Sequence, residues 1–373
     1  MPGHDVAIYS PFARLYYEPG SKQVGGAELQ TTLLAAGLTD RGFRVAHIIY
    51  PLRAEARLEP PAPTLVERRR WQGGRRLGQL REAAAILSAL GAADAQAYVV
   101  RGSGGHLIPA AAFCRLRRRR LVFSTSNDLD FDFSRPDRRP QVLRAYRSSI
   151  GHADRVVVQT KQQLELAATT LDGVDPLLIP SFCQPAEAAR SQPEYFLWAD
   201  RVVEYKRPLA FLDLAESLPE AHFRMVIATT SETPAPLERE LRGRAAHLAN
   251  VEIVEQLPRR ELLELLTRAT AMVATSRAEG MPNTFLEAWA RGIPVLSLSV
   301  DPDDRLTEKG VGIFAGDSPE RFADGARLLW SDRAKRAAMG ERARAFVHET
   351  HAPEAVVDRW QALLDELLRR QPR

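Results

Sequence analysis

Short runs of β-branched and other apolar residues, each followed by a segment of helical periodicity, alternate along most of this chain, and that pattern constrains its fold most. In the first half the strand-like runs are VAIYS, VAHIIY, AYVVR, LVFST, RVVVQ and LLIP, with helix-like segments at 25–41, 65–90, 107–118, 139–151 and 160–171. Runs that are apolar throughout, rather than at every second residue, are buried on both faces. They belong to parallel sheets covered by helices on each side. The second half repeats the scheme with YFLWA, FRMVIAT, VEIVE, AMVATS, VLSLSV and IFA around helix-like segments at 208–217, 236–247 and 259–267 and one that follows Glu279. Residues 319–370 read as helix throughout, with Trp330 and Trp360 on apolar positions. The expected fold is α/β, two Rossmann-like doubly wound parallel-sheet domains facing across a cleft, with ligands beyond the carboxyl ends of the strands.

At 373 residues the chain exceeds one ordinary core, which agrees with two domains. The weakly patterned, proline-containing stretch SFCQPAEAARSQP marks the junction. The expected boundaries are 1–182 for the first domain, 183–193 for the linker, 194–350 for the second domain, and 351–373 for a C-terminal helix packing back across the first.

No apolar run approaches the ~20 residues needed to cross a bilayer, and the N-terminus runs straight into a strand. Cys114 and Cys183 are the only cysteines, so no CxxC motif exists and a reducing, cytoplasmic setting is expected. Net charge is only +4, but arginines gather at Arg68–Arg70, Arg75, Arg76 and Arg81, and in RLRRRR at 115–120. A solvated helix face and a peripheral contact with anionic lipid both fit these clusters. Nucleic acid fits poorly, because few aromatics lie among the arginines.

The stretch EGMPNTFLEAWARGIPVL, 279–296, sets Glu279 and Glu287 eight residues apart, a spacing that no single helical face favours. Pro282 suits a first helical turn, Phe285, Leu286, Trp289 and Ala290 share an apolar face, and Gly292 and Pro294 close the helix. Glu279 then lies on the preceding loop and Glu287 in the second turn. Between them the amides of Asn283, Thr284 and Phe285 are expected as free donors at the positive end of the helix dipole. The result is an anion site flanked by two carboxylates. In FLWADRVVEYKRP a buried strand ends and two cations follow, Arg201 and Lys206, which suit phosphate oxygens.

These two elements resemble the R-x4-K and E-x7-E motifs of the GT4 family of retaining glycosyltransferases with the GT-B fold. GGAE at Gly25, Gly26, Ala27 and Glu28 is similar to that family's N-terminal donor loop, and the likeness runs through the whole chain in element order. The resemblance implies that the first domain takes the acceptor and the second the nucleotide sugar. Arg201 and Lys206 would hold the donor diphosphate and offset its charge as it leaves. Glu287 would bind the ribose hydroxyls, and Glu279 the transferred sugar, with Gly280, Met281, Asn283 and Thr284 beside it and Leu257 near the base. It further implies retention of anomeric configuration, no cofactor and no obligatory metal.

The chain departs from the family where relatives carry histidines near two N-terminal strand ends. VVRGSGGH and STSND stand there, offering Arg101, His106, Asn127 and Asp128, with His106 and Asp128 as catalytic candidates and Glu28, Arg101, Asn127 and Asp128 as acceptor contacts. DLDFD invites a metal reading but fails as an EF-hand loop, because Phe133 occupies the glycine position and Arg139 the bidentate glutamate position. A solvated or acceptor-contacting loop is expected instead, and DPDD at 301–304 is expected to cap a helix or border the donor site.

The leading expectation is transfer from a UDP-, GDP- or ADP-sugar to a glycan, lipid-linked or small-molecule acceptor in bacterial polysaccharide or glycoconjugate biosynthesis. A sugar-nucleotide-binding module without turnover and a natural-product glycosyltransferase are the alternatives. An NAD-dependent oxidoreductase lacks support, since no GxGxxG follows the first strand.

Overall fold

The structure is a computed structural model and describes all residues except 1, 19–20, 22–24, 57, 59, 70–76, 103, 135–138, 189–191, 231–232 and 370–373. Arg70, Arg75 and Arg76 of the first basic cluster lie outside the described residues. The chain divides into two compact units, residues 1–182 with 353–373, and residues 183–352.

Unit 1 contains β1 (His4–Tyr9), α1 (Gly26–Asp40), β2 (Val45–Ile49), β3 (Thr64–Glu67), α2 (Leu77–Ala93), β4 (Ala95–Arg101), α3 (Leu107–Arg117), β5 (Arg120–Ser124), α4 (Pro140–Gly151), β6 (Arg155–Val158), α5 (Lys161–Thr170) and β7 (Pro176–Leu178). Its sheet has the order β3-β2-β1-β4-β5-β6-β7, and every pairing is parallel. One face packs Leu34, Leu38, Val99 and Val157 with the C-terminal helix residues Trp360, Leu363 and Leu364. The other packs Tyr98, Phe123, Ile86 and Leu107.

Unit 2 contains β8 (Tyr195–Arg201), α6 (Pro208–Glu216), β9 (Phe223–Ala228), α7 (Ala235–Ala245), β10 (Val251–Glu255), α8 (Arg259–Leu266), β11 (Ala269–Ala274), α9 (Asn283–Ala290), β12 (Val295–Ser297), α10 (Arg305–Lys309), β13 (Gly312–Phe314), α11 (Pro319–Ser331) and α12 (Arg333–His351). Its parallel sheet has the order β10-β9-β8-β11-β12-β13. Both sheets thus reverse strand order once, between β1 and β4 and between β8 and β11. The carboxyl ends of strands at such a reversal are where doubly wound folds bind ligands.

Three expectations about elements change. The segment 65–90 is not one helix: Thr64–Glu67 pairs with β2 as an edge strand, and the helix starts at Leu77. The strand expected over VLSLSV stops at Ser297, whose hydroxyl accepts a bond from the Val300 amide and turns the chain. The helix expected over 319–370 is three helices, broken at Asp332 and Ala352. The Asp332 carboxylate accepts the Lys335 amide at the start of α12, and Pro353 opens α13 (Pro353–Arg369).

His47 in β2 gives unit 1 a pH-dependent stability. It is fully buried, shares a 2.6 Å hydrogen bond with the Tyr17 hydroxyl, and burial pushes its pKa from 6.5 down to about 3. Between those values the unfolded chain binds the extra proton, so stability is full above the unfolded pKa and falls as pH drops below it, by about 1.4 kcal/mol per unit. In urea unfolding, His47→Gln is expected to narrow the stability difference between pH 7 and pH 4.5 by about 3 kcal/mol. An unchanged difference would show that His47 is not buried neutral.

Candidate active site

In unit 2 the residues marked by sequence converge at the β8–β11 switch point. β8 ends in Asp200 and Arg201, and a turn of 3₁₀ helix, Glu204–Lys206, brings Lys206 back beneath it. Two hydrogen bonds fix that turn to the end of β11, and a third ties β8 to the same point. The Thr275 hydroxyl donates to the Lys206 carbonyl at 2.6 Å, the Trp198 indole donates to the Thr275 hydroxyl at 3.0 Å, and the Arg277 amide donates to the Tyr205 carbonyl at 2.9 Å. The loop after β11 carries Glu279. A crevice lined by Asp200, Ser276, Glu279, Pro282 and Thr284 joins the two strand ends to the start of α9.

Lys206 is buried, and its Nζ pairs with Glu279 and, at 2.6 Å, with Asp200. Burial alone would lower its pKa, but Asp200 and Glu279, with Tyr205, outweigh burial and raise it. The ammonium is therefore charged at any physiological pH. Arg201 lies along Tyr205, with Nη2 2.5 Å from its hydroxyl, while Lys206 Nζ is 5.4 Å from the centroid of the same ring. Tyr205 thus spaces the two cations, a role that neither composition nor motif spacing signalled. Asp200 is the other partner missed, although it directly precedes Arg201.

Pro282 occupies the N-cap position of α9, outside the helix proper. Its carbonyl accepts the Phe285 amide at 3.1 Å and the Leu286 amide at 3.3 Å. Phe285 therefore drops out of the expected set of free donors. Glu287 sits in the second turn of α9, 6% exposed, and its carboxylate pairs with Arg259 at the start of α8. Burial raises its pKa, opposed by Arg259 and Arg291. Arg259 follows β10 closely, two residues beyond Leu257, which packs partly buried on the same core as α9. Gly280 and Met281 are buried beside Glu279. Asp301 accepts the Leu306 amide at 2.7 Å and the Thr307 amide at 3.1 Å, so the DPDD segment caps α10.

In unit 1 the candidates separate into two groups. Glu28, Arg101 and His106 line one cavity. Gly25 adopts φ +102°, and the Glu28 carboxylate folds into the space where a Cβ at Gly25 would stand. Gly26 is the first residue of α1. The His106 ring lies 4.9 Å from that of Tyr9, with Nε2 3.4 Å from the Arg101 carbonyl. Asn127 and Asp128 instead belong to the turn after β5, where Asp128 accepts a 3.0 Å bond from Gln163. The solvated-loop reading of DLDFD fails at its centre. Asp130 is fully buried and accepts the Ser126 amide at 2.6 Å. Arg68, read with its neighbours as a solvated or lipid-facing cluster, is also buried, paired with Glu82 of α2.

Two doubly wound sheets, the second with a lysine–carboxylate cluster at its switch point and a helix N-terminus beside it, define the class of GT-B glycosyltransferases. The sequence matches the family Glycosyl transferases group 1 over residues 183–346 and the Glycosyl transferase 4-like domain over 25–179, and the chain belongs to this GT4-type family. A D-inositol 3-phosphate glycosyltransferase of Catenulispora acidiphila is 28% identical over 256 residues, covering 61% of this chain and 59% of the relative. The chain spans about half the length of the curated relatives it matches. Among solved structures, a sucrose-phosphate synthase from Thermosynechococcus elongatus superposes with TM-score 0.81 at 16% identity, over 98% of this chain and 99% of that one. Anabaena HepE in complex with UDP and glucose superposes with TM-score 0.74 at 17% identity, over 97% and 99%.

Proposed function

We propose that the chain transfers a sugar, with retention of configuration, from a UDP-, GDP- or ADP-sugar to a hydroxyl of a glycan, lipid-linked or small-molecule acceptor in bacterial polysaccharide or glycoconjugate biosynthesis. The observation that carries this reading is Lys206, held by Asp200 and Glu279 at the β8–β11 switch point beside the N-terminus of α9. A diphosphate seated there meets Lys206, Arg201 and the first amides of α9, all of which favour negative charge. Glu279, released from Lys206, accepts hydroxyls of the transferred sugar, and Glu287, oriented by Arg259, accepts those of the ribose. HepE, which holds UDP and glucose, supports the donor class by fold alone.

The bond from C1 of the sugar to the diphosphate oxygen breaks, and the charge that collects on the departing diphosphate falls on Arg201 and Lys206. The acceptor oxygen bonds to C1 on the same face, and its proton passes to a departing phosphate oxygen. Two fixed cations supply the charge compensation, so no metal is obligatory. Nucleotide release from a panel of UDP-, GDP- and ADP-sugars is the test. One nucleotide is expected to be released, with the rate unchanged by EDTA. Binding without turnover for every acceptor would leave a binding module, and binding of NAD alone would defeat the proposal.

A cytoplasmic enzyme working at the inner membrane face completes the reading. Among the described residues no helix is long and apolar enough to cross a membrane. Leu116, 82% exposed at the end of α3, is flanked by exposed Arg115, Arg117 and Arg118, whereas Arg119 and Arg120 are engaged by Asp94 and Asp154. Sedimentation with anionic vesicles is expected at low salt and should fall steeply as salt rises. No sedimentation at low salt would remove the membrane contact.

A further inference from the structure

At the switch point of unit 1 the carboxyl ends of β1 to β4 border a cavity of about 1110 Å³. Arg68, directly after β3, is 2% exposed and reaches this cavity. Its Nη2 pairs with Glu82, but its buried Nε has no hydrogen-bond partner among the described residues. Its guanidinium carbon lies 5.1 Å from the Tyr50 ring and 5.9 Å from the Tyr9 ring. Arg101, at the end of β4, lines the same cavity and also buries an Nε without a hydrogen-bond partner among the described residues. Burial pulls its pKa down to about 10 against the opposing pull of Asp130 and Glu28, so it remains a cation at neutral pH.

Each buried N–H left without an acceptor keeps its desolvation penalty uncompensated. A ligand that supplies an acceptor at both arginines removes that cost. Guanidinium forks match carboxylate and phosphate oxygens better than neutral groups, and the resulting bonds are about twice as strong. The carboxylates in the lining do not take this role, because Glu82 is committed to Arg68 Nη2 and Glu28 folds over Gly25. The outer wall is apolar. Phe12 is 46% exposed, with its ring edge-on to Tyr50 at 5.0 Å, and Val142 is 38% exposed.

We infer that this cavity seats an acceptor whose anionic group, a phosphate or a carboxylate, lies on the Arg68 and Arg101 N–H groups and whose apolar body rests on Phe12 and Val142. The inference rests on the proposed reading of unit 1 as the acceptor side, and it narrows the acceptor to an amphipathic acid. Arg68 acts as a specificity residue and takes no part in bond making.

Calorimetric titration of the intact chain with phenyl phosphate, benzoate and neutral benzyl alcohol tests it, with UDP, GDP and ADP titrated in parallel. At least one acid is expected to bind about tenfold or more tightly than benzyl alcohol, and the tighter acid identifies the group. Arg68→Gln is expected to lose that preference while binding UDP as the parent does, and Arg101→Gln serves as the second variant. Equal binding of the alcohol and both acids, or full acid affinity in Arg68→Gln and Arg101→Gln, would overturn the inference. A chain that binds the acids but none of UDP, GDP and ADP would count against the proposed donor and leave the acid site standing.

Discussion

Lys206→Met is expected to lower sugar-nucleotide turnover by about 10³-fold, the loss typical when a preorganised group facing a charged transition state is removed. Lys206 Nζ touches both a strand-end carboxylate, Asp200, and the loop carboxylate, Glu279. Its removal leaves those two partly buried carboxylates without their shared cation, which should also lower stability. The two effects separate in the double variant. Adding Asp200→Asn removes the repulsion and should recover most of the stability, while turnover stays low. Recovery of turnover together with stability would show that Lys206 serves only to neutralise Asp200.

Trp289→Ala is expected to destabilise unit 2 by about 3–5 kcal/mol, measured by urea unfolding. Trp289 is fully buried in the middle of α9, between Phe285 at 5.6 Å and Phe346 at 5.6 Å, and its indole N–H donates to the Val311 carbonyl at 3.0 Å. The change empties a cavity and strips a buried carbonyl of its donor. The consequence extends to function, because α9 carries Glu287 and presents its N-terminus to the Lys206 cluster. A loss below about 1 kcal/mol would mean that α12 closes over the gap, and that α9 is not pinned at this residue.

Much of the fold was legible because buried parallel strands leave an unambiguous mark. Val6–Tyr9 and Phe196–Ala199 are continuous apolar runs, and Val45–Ile49 is one but for the buried His47, since both faces of each strand are covered. β3 escaped for the complementary reason. It is a short edge strand whose Thr64 and Glu67 face solvent, so its pattern merges with the helix-like charge run beyond it. The acidic and basic residues of unit 2 could be placed on strand ends and a helix start, because turn and cap chemistry is local.

Their partners could not, because those contacts are tertiary. Arg259 reaches Glu287 only because the fold brings the start of α8 to the second turn of α9, and Tyr205 separates the cations only once the turn after β8 has closed onto Thr275. Burial of a single charge within a charged run is equally invisible in sequence. Arg68 faces inward while Arg69 is exposed, and Asp130 is sealed while Asp128 and Asp132 in the same run are half-buried.

Calorimetric titration of the folded parent and of Lys206→Met/Asp200→Asn with UDP, GDP and ADP tests the central claim most directly. One diphosphate should bind the parent at a single site, and the variant should bind it at least about tenfold more weakly. Equal affinity in the two proteins, or no binding of any of the three to the parent, would contradict a diphosphate site built on Lys206.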